Sequence, residues 1–230
     1  MLRSTDDARF WDGIARKYAA GRIKDMDGYE RTLACTRNML GSSDSVLELG
    51  CGTGTTALRL APSVSRIVAS DASSEMIAIA KEKAIAQGCQ NAEFTVATAA
   101  GAAGADNTYD AVLAFNLLHL VADRPSAFAT IARLLKPGGL FISKTPCLSE
   151  MNPLIRAAVP VMRLIGKAPF VDFFTSAEIE DEIARAGFMV SARQRHGSGR
   201  KDARIFIAAR KQDGLHAPRH IRECPVEVNA

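Results

Sequence analysis

Residues 46–54 read Val46-Leu47-Glu48-Leu49-Gly50-Cys51-Gly52-Thr53-Gly54. Ser45 to Leu49 is a short apolar run, which predicts a buried strand. Three glycines then stand at every second position. Without a Cβ, the backbone there can turn sharply and pass close to a ligand. A helical pattern follows through Ala61. Strand, glycine turn and helix open a βαβ unit. In open α/β sheets, ligands bind beyond the carboxyl ends of the strands, near the point where strand order reverses.

The rest of the chain continues the alternation of apolar runs and amphipathic segments. Strands are expected at Arg66–Ser70, Glu93–Ala97, Asp110–Phe115 and Leu140–Ser143. The near-continuous apolar character of 110–115 suits a central strand covered on both faces. A helix capped by Ser73 or Ser74 should present Ile77, Ala80, Ala84 and Ile85 on one face and stop at Gly88. An Ala/Gly-rich loop leads to Thr108, and a helix over 125–135 should end sharply at Lys136-Pro137-Gly138-Gly139. A single helical lead-in, about Asp7 to Leu40, precedes all this. After the fifth strand come an apolar helix over Leu154–Ile165 and a helix from Ser176 to Gly187. Two strands, Phe188–Arg195 and Arg204–Ala209, are joined by a Gly-rich turn and so run antiparallel. The pattern predicts the α/β fold class with a mostly parallel sheet. One domain is expected over 1–211, with an N-terminal helical cap (1–41) and an insert (150–175). A flexible tail is expected at 212–230.

Composition narrows the class. A chain of 230 residues with 47% hydrophobic and 23% charged residues can fill one core and is not a disordered segment. Five cysteines without a CxxC pair argue against a disulfide framework or a thiolate zinc site, and the four dispersed histidines offer no metal cluster. The polar N-terminus and the lack of a long apolar run predict a cytoplasmic protein without a membrane span. The net charge of +4 is concentrated in Arg193–Lys211, where seven cations face only Asp202. Such a run can attract phosphate or nucleic acid, but aromatic residues for base stacking are nearly absent from it, which favours a solvated hairpin.

Asp71 ends the second strand, where a carboxylate can accept hydrogen bonds from both hydroxyls of a ribose. Glycine loop and acid together predict an adenosine-containing cofactor. The spacing is G-x-G-x-G, not the G-x-G-x-x-G of dinucleotide sites. Glu48 would repel a pyrophosphate but suits a ligand carrying an ammonium and a sulfonium.

Glu48–Gly54, Asp71 and Leu135-Lys136-Pro137-Gly138-Gly139 resemble the motifs of class I S-adenosylmethionine-dependent methyltransferases. The opening Phe10-Trp11-Asp12-Gly13-Ile14-Ala15-Arg16-Lys17-Tyr18 resembles the lead-in of quinone-biosynthesis and related small-molecule methyltransferases. The resemblance implies a Rossmann-like sheet of seven strands with the last antiparallel and helices on both faces. It also implies S-adenosylmethionine as cofactor and S-adenosylhomocysteine as product. Gly50, Cys51, Gly52 and Gly54 would pass beneath the methionine part, with Glu48 nearby. Asp71 would hold the ribose, and Ala72 and Met76 would flank the adenine. Thr98 and Ala99 stand where many relatives place an Asp for the adenine amino group, so contact there falls to the backbone or is weaker. Asn116 would lie close to the sulfonium.

Methyl transfer is an in-line displacement that needs positioning and desolvation, and needs a base only when the acceptor must lose a proton. His119, after the fourth strand, can act as that base, orient the acceptor, or be structural. Asn116 is the second catalytic candidate. Lys144 and Cys147 at the end of the fifth strand, and Trp11 and Tyr18 from the lead-in, are candidates for contact with the acceptor or for filling the wall. The apolar insert, with Met162, Phe170, Phe173 and Phe174, suits either a lid or a helix packed on the core. Asn116-Leu117-Leu118-His119 is not the Asn/Asp-Pro-Pro-aromatic motif of amino-methylating nucleic-acid enzymes. The expected acceptor is therefore a small, partly hydrophobic molecule, with the atom (O, N, C or S) left open. The alternatives are an RNA or protein methyltransferase using the basic hairpin, and a non-catalytic cofactor-binding partner protein. A homodimer is compatible with either.

Overall fold

The computed structural model describes residues 2–151, 153–199 and 202–212. Its strands are β1 (Ser45–Leu49), β2 (Arg66–Asp71), β3 (Ala92–Val96), β4 (Tyr109–Phe115), β5 (Leu135–Pro146), β6 (Phe188–Gln194) and β7 (Arg204–Lys211). They form a seven-stranded sheet in the order β3-β2-β1-β4-β5-β7-β6. β1 to β5 are parallel, and β7 lies antiparallel between β5 and β6. β1 has β2 on one side and β4 on the other, so strand order reverses at the end of β1, where the glycine loop begins.

The helices are α1 (Leu2–Ala20), α2 (Met26–Met39), α3 (Thr55–Leu60), α4 (Ser74–Ala86), α5 (Arg124–Leu134), α6 (Pro153–Leu164) and α7 (Ser176–Arg185). The period-two alternation of the strands divides their side chains between two cores. On one face Val46, Ile67, Leu113 and Phe206 pack with Leu33 of α2, Leu58 of α3 and Ile77 of α4. On the other, Leu47, Val112, Phe141 and Ile207 pack with Phe128 of α5 and Ile179 of α7. Cover on both faces explains why the central strands read as continuous apolar runs. α1 lies outside these layers, against α4, through Ala15, Met76 and Ile79.

Several boundaries differ from the sequence expectation. The lead-in is two helices, and α2 restarts at Asp25, whose Oδ1 accepts the Gly28 N–H at 3.0 Å. Lys136–Gly139 does stop α5, yet the chain is already in β5 from Leu135. Tyr109 pairs with Leu135 and Ala111 with Leu140, so the four residues bow out as a bulge. Ile85 is 81% exposed and not on the buried face of α4, since it stands about 100° round the helix from Ala84. Cys51, Cys89 and Cys147 are free thiols, whereas Cys35 is disulfide-bonded, a link the dispersed cysteine spacing did not signal. Residues 213–230, which hold nearly all of the expected tail, lie outside the described residues. None of the described helices is long and apolar enough to cross a membrane.

Gly54 shows what the β1–α3 turn demands. Its φ is +74°, and a Cβ there would meet the Phe94 ring at 2.7 Å and Ala80 Cβ at 2.8 Å. Gly138 has φ +66° with nothing within 4 Å. In urea unfolding, Gly54→Ala should therefore cost about 3 kcal/mol or more, from the left-handed backbone plus overpacking. Gly138→Ala should cost only about 1 kcal/mol.

Candidate active site

The turn after β1 carries Gly50, Gly52 and Gly54, all at positive φ. At Gly50 a Cβ would fall 2.6 Å from Leu117 Cδ1, so this glycine lets the β4 loop close over the turn. The Cys51 N–H donates to Ser70 O at 2.9 Å, which ties the loop to the end of β2. There Asp71 accepts the Gly52 N–H on Oδ2 and the Ser73 N–H on Oδ1, both at 2.9 Å. Two backbone donors thus fix the carboxylate in place and leave it lone pairs for a ligand. Burial raises the Asp71 pKa, and the N–H groups of Ser73 and Gly52 oppose that shift.

Glu48 sits beneath the loop with 2% of its surface exposed, and its Oε2 has no hydrogen-bond partner. Burial, with a smaller push from the Asp71 charge, raises its pKa to about 8 against a backbone bond at Ala57. An unpartnered carboxyl oxygen in this position is costly unless something cationic or donating completes it.

These groups open on a cavity of about 770 Å³ that runs across the carboxyl ends of the strands. Of the residues singled out from sequence, Glu48, Gly50, Cys51, Gly52, Asp71, Ala72 and Met76 line it, as do Thr98, Ala99 and Asn116. Trp11, Tyr18 and Lys144 also line it. Asn116 has a left-handed backbone (φ 51°), held by its N–H donating to Lys144 O at 2.7 Å. The Tyr18 ring lies 3.8 Å from where a Gly52 Cβ would stand, and burial followed by the charges of Asp71 and Glu48 raises its phenol pKa.

Gly54, His119 and Cys147 do not line the cavity. Gly54 turns inward against Phe94 and Ala80. His119 lies behind the wall, with Nδ1 3.2 Å from Thr145 Oγ1, and burial lowers its pKa to about 4. Cys147 is fully buried, and burial raises its thiol to about 11. No described residue of the 150–175 insert lines the cavity either. The insert reaches it indirectly, through the Phe170 N–H donating to the carboxylate of Asp7, a wall residue, at 2.8 Å. Phe174 is buried under the Arg124 guanidinium, which also binds Asp172 and Glu182.

Sequence reasoning missed Tyr29 and Thr32 of α2, and Arg204 of β7, all in the wall. Helical periodicity marked their segment without saying which turn faces a site. In the basic run, every described cation has an acceptor. Arg193 pairs with Glu180, Arg195 with Glu150, and Arg204 with Asp202 and Asp25. Arg210 donates to Gly138 O and Lys211 to Leu135 O.

Residues 46–139 match the family model for a methyltransferase domain. The chain is 29% identical over 176 residues to the ubiquinone biosynthesis O-methyltransferase of Rhizobium johnstonii, covering 75% of this chain and 70% of that one. It is 29% identical over 178 residues to phosphoethanolamine N-methyltransferase 1 of Arabidopsis thaliana, covering 76% of this chain and 32% of the relative. For most of the curated relatives it matches, the chain spans less than half of their length. The crystal structure of the YcgJ protein from Bacillus subtilis superposes with a TM-score of 0.67 at 19% identity, covering 81% of this chain and 99% of YcgJ, which is a likeness of fold. The glycine turn, the acid at the end of β2, the strand order and the match over residues 46–139 agree, and that part of the chain is similar to methyltransferase domains of the S-adenosylmethionine-dependent class.

Proposed function

We propose that the chain transfers the methyl group of S-adenosylmethionine to a small, partly hydrophobic acceptor held in the same cavity. The observation that carries this reading is the continuity of that cavity. The loop, Glu48 and Asp71 lie in one wall with Phe115, Leu117, Tyr29 and Lys144. Its volume falls within the usual range for small-molecule sites, ~300–1,000 Å³. The names of the Rhizobium and Arabidopsis relatives, which concern ubiquinone biosynthesis and phosphoethanolamine, point the same way.

The residues suit the cofactor. The loop glycines leave a cradle that side chains would fill, and Glu48 offers an unpartnered carboxyl oxygen to an ammonium. In this reading Asp71 holds the ribose, while Ala72 and Met76 flank the adenine. Thr98 and Ala99 border the adenine edge, and Trp11 and Tyr18 exclude water from above. Asn116 stands at the transfer point. S-adenosylmethionine supplies a methyl carbon already activated by its sulfonium. The chain aligns the acceptor and dries the site, which is where positioned transfer gains most. His119, neutral behind the wall and bonded to Thr145, takes no part in the transfer in this reading.

Calorimetric titration tests the cofactor reading. S-adenosylhomocysteine should bind with a Kd on the order of micromolar and NAD should not. Asp71→Ala should weaken the former about tenfold or more, as for the loss of charge-assisted hydrogen bonds. Absence of S-adenosylhomocysteine binding, or a preference for NAD, overturns the proposal.

Glu48 gives a second test. Its folded pKa, about 8, lies above the ordinary 4.5, so the free folded protein binds more protons than the unfolded chain between those values. The Glu48 contribution to stability is therefore fully present below pH 4.5 and is lost as pH rises through 8. Chemical unfolding of the ligand-free protein across that window should show the decline. Glu48→Gln should flatten it, and parallel curves for the two proteins would refute the assignment.

A further inference from the structure

The acids Glu48 and Asp71 suit a cationic cofactor, and the end of the cavity at Thr32 carries Lys144 together with the Arg204–Asp25 ion pair. Lys144 leaves β5 beside Asn116 and points toward α2, with only 6% of its surface exposed. Its ammonium donates to Thr32 Oγ1 at 2.8 Å and to Gly28 O at 3.5 Å. Among the described residues no carboxylate forms an ion pair with it. The acids nearest in charge, Asp25 and Asp202, are already engaged. Asp25 accepts from Gly28, Ser198 and Arg204, and Asp202 accepts from Arg204 through Oδ1. Asp202 Oδ2 has no partner, but Asp202 is off the cavity wall. Thr32 is itself committed to Gly28 O at 2.7 Å and to His196 Nδ1 at 3.1 Å. An ammonium has three donors, and a buried one without a counter-charge is expensive.

Arg204 lines the cavity beside it and is close enough for its charge to help lower the Lys144 pKa to about 8, after burial as the main cause. At neutral pH the lysine is still mostly charged. Arg204 is already ion-paired with Asp25, another wall residue, and with Asp202, whereas Lys144 is not, and the lining of the same cavity includes the apolar side chains of Leu33, Phe115, Leu117 and Leu120. A buried ammonium without an ion pair among the described residues, at the edge of a cavity with apolar lining, complements an apolar body bearing an oxyanion.

We propose that the acceptor is a small amphiphilic anion whose carboxylate or phosphate is bound by Lys144, with Arg204 beside it, at the end of the cavity walled by Thr32. The inference rests on the methyltransferase reading only for the word acceptor. The anion site itself is a property of Lys144 and its surroundings, and stands or falls separately.

The test titrates the full chain, with and without saturating S-adenosylhomocysteine, against benzoate, phenyl phosphate and benzamide. At least one anion should bind about tenfold or more tightly than benzamide, and the stronger of the two distinguishes carboxylate from phosphate. Lys144→Met, which keeps the apolar stem, should remove that preference and leave S-adenosylhomocysteine binding intact. Arg204→Gln should weaken the preference in the same direction and serves as a second variant should Lys144→Met fold poorly. Equal binding of benzamide and both anions overturns the proposal. So does a preference that survives in both variants, or the absence of anion binding up to on the order of 10 mM. Loss of S-adenosylhomocysteine binding with the anion preference intact would remove the cofactor reading and spare this one.

Discussion

The turn between Leu49 and Thr55 must bring the backbone within contact distance of three different neighbours while reversing direction at the carboxyl edge of the sheet. Leu117 crowds it at Gly50, Tyr18 stands over it at Gly52, and Phe94 with Ala80 closes it at Gly54. All three glycines have positive φ, so handedness disfavours side chains throughout the turn, and space excludes them at Gly50 and Gly54 as well. The other parts of the site take their positions from this turn. Asp71 is fixed by the Gly52 N–H, and Cys51 is tied to Ser70. α3 starts directly after Gly54, which has a left-handed backbone and, as glycine, no side chain to cap the helix.

Electrostatics then divide the cavity. Glu48 and Asp71 line one part of it, both with pKa values raised by burial, and among the described residues neither forms an ion pair with a cation. Lys144 lines another, its pKa lowered by burial, and forms no ion pair among the described residues. Each group is unfavourable alone, and the low local dielectric that makes it so also makes a complementary ligand charge worth more. The stability forgone at these residues is the physical mark of a site built for ligands. The basic hairpin is the contrast: it is more highly charged, yet its described cations are already satisfied by the protein itself.

Legibility followed the range of the interactions. The glycine turn, the Ser73 cap and the alternation of β1 and β4 answer local demands, so each residue type announces its task. Asp71 could be placed because strand end and acid coincide in sequence. Other features depend on partners far along the chain. The bulge at Lys136–Gly139 is imposed by pairing with Tyr109 and Ala111, which no local pattern encodes. Tyr29 and Thr32 enter the wall because α2 packs across the ends of β1 and β5, and Arg204 because β7 inserts beside β5. His119 shows the reverse case: a chemically suggestive residue at the right strand end, turned behind the wall by a bond to Thr145.

The attachment of α1 has a kinetic consequence. This helix supplies Asp7, Trp11 and Tyr18 to the cavity wall, yet it is held by the small cluster of Ala15, Met76 and Ile79. Asp12 adds hydrogen bonds to Ser73 and Glu75, and the Arg16–Glu82 pair is mostly exposed, so it adds little. The sheet and its two cores lie elsewhere. Detaching α1 is thus a local opening that costs far less than unfolding the domain. Ligand exchange through such an opening would set its own rate, independent of global stability. The core could then become more rigid without slowing the release of product.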